Sequence, residues 1–311
     1  LFLVLLLVVL AVAAAGCGAA PETPAATGEG PQEPAPEQAA AAPSPLFEVT
    51  PLTEQASAHG HWNFFAEQVA ITASGEGHYN DACIECHSAV KRLDDHEAVL
   101  ADFMPGGKYE NQQEGITCRV CHQFGGEIGF ELRAEDRVAV CADCHSGEPV
   151  DGKFNLNTAV HHPQGEMFKG IGGYNADVTP AFKMETMGFA CFDCHYTNNV
   201  DHDFSAPTAA EIAANPSCSS CHTSEEQIAG QMEEIAGQTA ERLEAIKSRI
   251  EAGKAKYEGA PADAQEAYGI AVTNSSFVEA DASMGIHNPA YVTKLLDAAE
   301  AGLDQFEAAV M

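Results

Sequence analysis

Ten of the 11 cysteines in this chain fall in five copies of one pattern, Cys-x-x-Cys-His: CIECH at 83–87, CRVCH at 118–122, CADCH at 141–145, CFDCH at 191–195 and CSSCH at 218–222. Ten thiols in an exported chain can make disulfides, and paired cysteines can bind zinc. Neither use asks for a histidine directly after every second cysteine. Covalent haem attachment does. Two thiols add across the two vinyl groups of the porphyrin, and the next residue lies under the iron. The pattern therefore predicts five haem c groups. They attach to Cys83 and Cys86, Cys118 and Cys121, Cys141 and Cys144, Cys191 and Cys194, and Cys218 and Cys221, with His87, His122, His145, His195 and His222 as proximal iron ligands.

Five porphyrins change what the composition means. Hydrophobic residues make up 45% of the 311 residues, but many are alanine and there is one tryptophan. Large apolar side chains look too few for a core of ordinary kind, and the porphyrins are expected to supply it. The expected fold is mainly α with extensive loops: a multihaem c-type cytochrome fold with a haem-packed core over 46–223, and a C-terminal long-helix hairpin over 224–311 packed on it. No strand alternation reads convincingly in the haem region.

The first residues, LFLVLLLVVLAVAAAGC, resemble the apolar region of an export signal. Ala14-Ala15-Gly16-Cys17 is similar to a lipobox, which makes Cys17 the expected lipidation site and 1–17 the signal segment. Residues 18–45, rich in Pro, Ala and Glu, cannot pack a core and read as a disordered tether. At about 3.1 Å per residue it reaches on the order of 80 Å. The chain is thus expected to be an exported, membrane-anchored lipoprotein, periplasmic or at the outer cell surface. With 46 acidic against 15 basic residues, its net charge of −31 argues against nucleic-acid binding. The same charge suits redox partners with a basic docking surface.

Eight histidines remain: His59, His61, His78, His96, His161, His162, His202 and His287. A low-spin electron-transfer haem takes a second strong axial ligand, most simply another imidazole. Candidates for that distal role are His59, His61, His78, His161, His162, His202 and His287, with Met184 as a weaker one. His96, in LDDHEAV, reads equally well as a solvated helix residue. His202 follows His195 too closely to reach back to the same iron, so a neighbouring haem is expected. Pro163 restricts the backbone of the His161-His162 pair.

The C-terminal third changes character. Ile228, Met232, Ile235, Thr239, Leu243, Ile246 and Ile250 mark one apolar stripe on a long helix over 224–257, opened by Ser224 with Gln227. A second helix is expected over 262–272. A third begins with Asn288 as N-cap and Pro289 at the first helical position, and runs to about Ala309. The stripe serves packing onto the haem domain or a homodimer seam. His287 stands one residue before the N-cap, where a returning helix holds its imidazole rigidly against an iron.

Five haem motifs, the segment His162-Pro163-Gln164-Gly165-Glu166, the segment Asp201-His202-Asp203-Phe204-Ser205-Ala206-Pro207 and the run from Ser283 to Pro289 together resemble the pentahaem ammonia-forming cytochrome c nitrite reductases. The resemblance covers about residues 59–308. It implies distal ligand roles for His202 and His287, and a homodimer through the C-terminal helices. That family usually carries Lys where His87 closes the first motif. It also has a Tyr shortly after the third motif and a Lys-x-Gln-His stretch, which serve the active site and a calcium ion. Here Ser146-Gly147-Glu148 and Ala159-Val160-His161-His162 stand there, and Met184 stands where a distal ligand precedes the fourth motif. Calcium rests on the resemblance alone. Missing catalytic residues and surplus histidines favour an electron-transfer protein. The alternative is nitrite or related oxyanion reduction at one open haem, for which His162, Arg92 and Arg119 are the candidate site residues.

Overall fold

The computed structural model describes residues 60–123, 131–177, 187–196 and 204–311, all within one compact unit, Glu48–Met311. Residues 1–45, with Cys17, and the candidate ligands His59, Met184 and His202 lie outside the described residues. Among the described residues, no helix is long and apolar enough to cross a membrane.

Short helices and turns carry the motifs, the fifth lying in a turn outside any helix. In chain order they are α1 (Gly60–Ala73), α2 (Asp81–His87), α3 (Ala89–Leu93), α4 (Leu100–Phe103), α5 (Cys118–Cys121), α6 (Ala139–Ala142), α7 (Gln164–Lys169), α8 (Cys191–His195) and α9 (Ala209–Ala214). One antiparallel pair of two-residue strands, β1 (His122–Gln123) and β2 (Glu131–Leu132), follows the second motif. Three long helices close the chain: α10 (Glu225–Gly253), α11 (Ala262–Asp281) and α12 (Pro289–Val310).

The local signals act as expected at two helix starts. The Ser224 hydroxyl accepts from the Gln227 N–H to open α10. The Asn288 side chain accepts from the Tyr291 N–H, with Pro289 beside it, to open α12. Helix α11 departs from its expected end at residue 272 and continues to Asp281. Thr273, Asn274, Ser275 and Ser276 look like a breaker in sequence. In the fold the first three are buried and hydrogen-bonded to backbone, much of it distant, so tertiary contact overrides the local preference.

The apolar stripe of α10 is used within this chain. Ile228, Thr239, Leu243 and Ile246 are buried. Leu243 and Ile246 join Phe277, Tyr291, Leu295, Leu296, Leu303 and Phe306 in the main cluster, and Phe154 and Met167 enter it from the haem region. Each such side chain fully withdrawn from water contributes roughly 1.5–3 kcal/mol. Helices α10 and α12 run in the same direction and are zipped by two arginines seven residues apart. Arg242 pairs with Asp297 and Glu300, and Arg249 with Asp304 and Glu307, at 2.6–2.9 Å. Such half-exposed pairs are worth about 0–1 kcal/mol each and act mainly on register.

A second cluster (Phe65, Val69, Tyr79, Ile84, Val90, Leu100 and Phe103) surrounds the first motif. Between Phe103 and Phe154 no described hydrophobic residue is buried, and between Ala176 and Ile228 only Ala190 and Cys218 are. The middle of the molecule has no side-chain core of its own among the described residues.

Polar contacts fix the loop over 154–174 to the long helices. Asn274 accepts from the Tyr174 N–H and donates to the carbonyls of Tyr174 and Leu295, at 2.9, 2.9 and 3.3 Å. Tyr291 accepts from the Gly173 N–H at 2.9 Å, and Asn288 donates to the Met167 carbonyl at 3.2 Å. We expect Asn274→Ala to destabilise the fold by roughly 2–3 kcal/mol, because buried backbone groups lose their partners. Urea denaturation followed by far-ultraviolet circular dichroism measures this, and a loss near zero contradicts it.

Candidate metal centres

All five motifs adopt one helical turn. In the second, third and fifth, the histidine N–H donates to the carbonyl of the first cysteine, four residues back. In the first and fourth the motif lies inside α2 and α8. The turn brings two Sγ atoms and one imidazole to a common side, and none of the ten cysteines is in a disulfide.

Three imidazoles show how they are aimed. The His145 Nδ1 lies 3.1 Å from Gln164 Oε1, the His195 Nδ1 3.1 Å from the Ser205 carbonyl, and the His287 Nδ1 2.7 Å from Asp281 Oδ1. Each partner is an acceptor, so each Nδ1 is the donor and Nε2 keeps its lone pair. Such an arrangement is typical of metal-ligating histidines. Asp281 is fully shielded and also receives the Ser283 hydroxyl, whose oxygen accepts from the His287 N–H at 3.1 Å. Burial disfavours the His287 cation, but the hydrogen bond and charge of Asp281 outweigh it and raise the pKa. A tight turn with Ala282, Met284 and Gly285 at positive φ presents this histidine. Gly285 is required there, because a Cβ would come within 2.8 Å of Thr239 Oγ1 on α10.

The rings meet in pairs. His195 and His287 have centroids 5.9 Å apart, His61 and His145 6.0 Å, and His87 and His162 6.2 Å. Two metal–nitrogen bonds of about 2.0–2.1 Å, plus half of each ring, span roughly 6 Å. His162 is also 5.5 Å from His145 and 4.0 Å from His161. His87, His161 and His162 bring ligand atoms within 4.8 Å of one another. Burial lowers the pKa of His87 and of His195, and lowers that of His162 to about 4 with the help of neighbouring imidazoles, so all three are neutral near pH 7. His162 has φ +48° ahead of Pro163, a left-handed conformation where extended backbone is the usual choice before proline.

Other candidates fall elsewhere. His78 is exposed, and His96 is exposed with its Nδ1 on the Lys91 carbonyl. Arg119 makes a two-point contact with Asp94, at 3.2 and 2.5 Å. Arg92 donates to the Glu85 carbonyl at 3.4 Å and lies 3.9 Å from Asp143. Both arginines are therefore engaged by protein groups. Glu166, of the His-Pro-Gln-Gly-Glu segment, is buried and accepts from the Ser146 hydroxyl and the Gly147 N–H at 2.6 and 3.0 Å. It ties the turn after the third motif to the helix after His162.

Thiols of different motifs also influence one another electrostatically. The Cys144 thiol donates to the Cys86 backbone carbonyl at 3.9 Å, and its side-chain interaction with the Cys86 thiol pulls that thiol down to about 7 while its own is raised. Cys141 and Cys191 form a like pair, with Cys191 lowered to about 7 and Cys141 raised. Cys218 acts on Cys194, and Cys121 acts on both Cys141 and Cys144.

No known family model matches the chain. In sequence, an alignment of length 120 that covers 32% of this chain is 25% identical to the C-type polyheme cytochrome OmcB of Geobacter sulfurreducens, over 16% of that protein. In structure, the outer cell wall cytochrome OcwA matches with a TM-score of 0.62 and 29% identity, over 80% of this chain and 49% of OcwA. An undecaheme cytochrome from the S-layer of Carboxydothermus ferrireducens matches with a TM-score of 0.56 and 28% identity, over 79% of this chain and 40% of that one. The catalytic subunit of the Desulfovibrio desulfuricans cytochrome c nitrite reductase, NrfA, has a TM-score of 0.52 over 76% of this chain and 67% of that one, at 16% identity, a likeness of fold. The chain spans about half the length of OcwA. It has the fold of a multihaem c-type cytochrome, resembles that group in sequence, and by that likeness binds haem c covalently. The free thiol pairs and the Nδ1-anchored imidazoles fit this group.

Glu166→Ala leaves the Gly147 N–H without its carboxylate. We expect a loss of about 1–3 kcal/mol in urea denaturation and faster proteolysis within 146–153. Unchanged values on both counts contradict the tie.

Proposed function

We propose that this chain is an exported cytochrome that carries five haem c groups and passes electrons along a file of adjacent attachment turns. The observation that carries this is the set of direct contacts between one motif and the next. The Cys144 thiol of the third motif lies 3.9 Å from the Cys86 carbonyl of the first, Arg137 just ahead of the third pairs with Asp193 of the fourth at 2.7 Å, Asn215 just ahead of the fifth donates to the Asp193 carbonyl at 3.4 Å, and Arg119 of the second pairs with Asp94 just after the first at 2.5 Å. Haem iron supplies a reversible one-electron couple whose potential follows its axial ligands and burial.

The residues divide that work. Ten cysteines would tether the haems, and His87, His122, His145, His195 and His222 would serve as the proximal ligands. His162, His61 and His287 face His87, His145 and His195 and would supply a second imidazole to each of three haems. His122 and His222 draw on His59, His78 and His202, with Met184 as a thioether alternative. Asp281, Gln164 and the Ser205 carbonyl orient their imidazoles, and Asp281 makes His287 the more basic ligand.

Relatives described as outer cell wall and S-layer cytochromes support an exported location. Cys17 as a lipid anchor and residues 18–45 as a tether would then stand the folded unit off a membrane. The net charge of −31 suits a redox partner with a basic face. Burial of Thr239, Leu243 and Ile246 within this chain supports packing rather than a homodimer seam for that half of the stripe.

One observation favours a second reading. His161 and His162 both converge on His87, where one axial position is to be filled. The imidazole left over would serve as a proton donor or anion anchor for oxyanion reduction, should His87 carry an iron with an open face.

Intact mass and optical spectra test these readings. Five haem increments with fully low-spin spectra, insensitive to nitrite and cyanide, support the electron-transfer protein. A mass without them sinks it, and a ligand-induced shift selects the second reading. His287→Ala should convert one haem to a high-spin, cyanide-binding form at unchanged haem load. Asp281→Asn should keep it low-spin and raise its potential, since the ligand becomes a weaker donor. Wild-type spectra from His287→Ala contradict the pairing.

A further inference from the structure

Haem attachment leaves the two residues between the cysteines of each motif free to vary. In the first four motifs one of them is nevertheless charged and paired: Glu85 with Lys91 at 3.1 Å, Arg119 with Asp94 at 2.5 Å, Asp143 with Arg92 at 3.9 Å, and Asp193 with Arg137 at 2.7 Å. The last three partners belong to the flank of a different motif. Asp94 and Arg92 follow the first motif, whereas Arg119 and Asp143 lie inside the second and third. Arg137 precedes the third motif, whereas Asp193 lies inside the fourth. Arg92 also donates to the Glu85 carbonyl, so it spans the intervening residues of the first and third motifs.

The Arg137–Asp193 contact is the most developed. One Asp193 oxygen takes the Arg137 guanidinium, and the other accepts from the Ala190 N–H at 2.7 Å. Arg137 lies over the Phe192 ring at 4.3 Å and donates to the Gly188 carbonyl at 3.5 Å. The Asp193 carbonyl accepts from Asn215, just ahead of the fifth motif, at 3.4 Å. Ion pairs this exposed contribute little to stability, so stability alone does not account for their placement. A flat guanidinium that stacks and bonds at once fixes an angle as well as a distance.

We propose that the intervening residues of the motifs set the spacing and tilt between successive haem-binding turns, with Arg137 and Asp193 as the positioning residues for the third and fourth. The proposal rests on the five-haem reading above.

The test is Soret circular dichroism of the oxidised and reduced holoprotein, in which the couplet between neighbouring porphyrins reports their geometry. Intact mass of the same samples gives the haem load. Arg137→Gln and Asp193→Asn should each lower the couplet amplitude with five haems retained, since the amide that replaces the Asp193 carboxylate keeps an oxygen for the Ala190 N–H. The double variant should lose no more than either single one, because the pair acts as a unit. Arg242→Gln removes a comparable ion pair in the C-terminal helices and should leave the couplet unchanged. Should Arg137→Gln not mature, Arg137→Lys, which keeps charge without flat stacking, replaces it and should also lose amplitude. Full haem load with an unchanged couplet, or additive losses in the double variant, overturns the proposal. A wild-type mass without haem increments instead sinks the reading beneath it.

Discussion

The hydrogen bond that closes each motif into a helical turn is the contact on which the rest depends. It runs from the histidine N–H to the carbonyl of the first cysteine, and it makes five short segments equivalent despite unrelated surroundings. Once the turn is closed, two sulfurs and one imidazole point together, and everything else becomes a question of what faces that side. In the third and fourth motifs the histidine ring is further held through its Nδ1, by Gln164 and by the Ser205 carbonyl.

The long helices then act as a jig for the opposing imidazoles. Asn274, Tyr291 and Asn288 pin the loop over 154–174, which carries His161 and His162. The same two helices are joined by the turn that presents His287, held by Asp281 and Ser283. Two parts of the chain more than a hundred residues apart thus deliver their rings through one rigid body. The left-handed backbone of His162 shows the cost of that delivery, since the residue before a proline ordinarily avoids it.

Much of this was legible from local pattern. The five motifs, the Asn288-Pro289 helix start, the stripe of α10 and the placement of His287 all follow from short-range rules. The length of α11 was not, because Thr273 and Asn274 satisfy themselves against loop backbone that sequence spacing cannot bring near. Nor was the choice among eight spare histidines. His61 meets His145 from the far end of the haem region, and nothing between them in the chain announces it. Asp281 offered a clue, an acid six residues ahead of His287, but its meaning needs the turn through Gly285. The oxyanion-site reading of Arg92 and Arg119 came from charge alone, and their engagement by Asp143 and Asp94 is a tertiary fact.

The uneven distribution of buried apolar residues bears on how such a chain is made. One knot of side chains surrounds the first motif and another unites the closing helices, while the described residues between them have little of their own to collapse around. A newly made polypeptide would therefore condense at its two ends and stay pliable in the middle. That pliability keeps the central cysteines within reach of the machinery that installs each prosthetic group. Maturation and collapse of this region are then a single event.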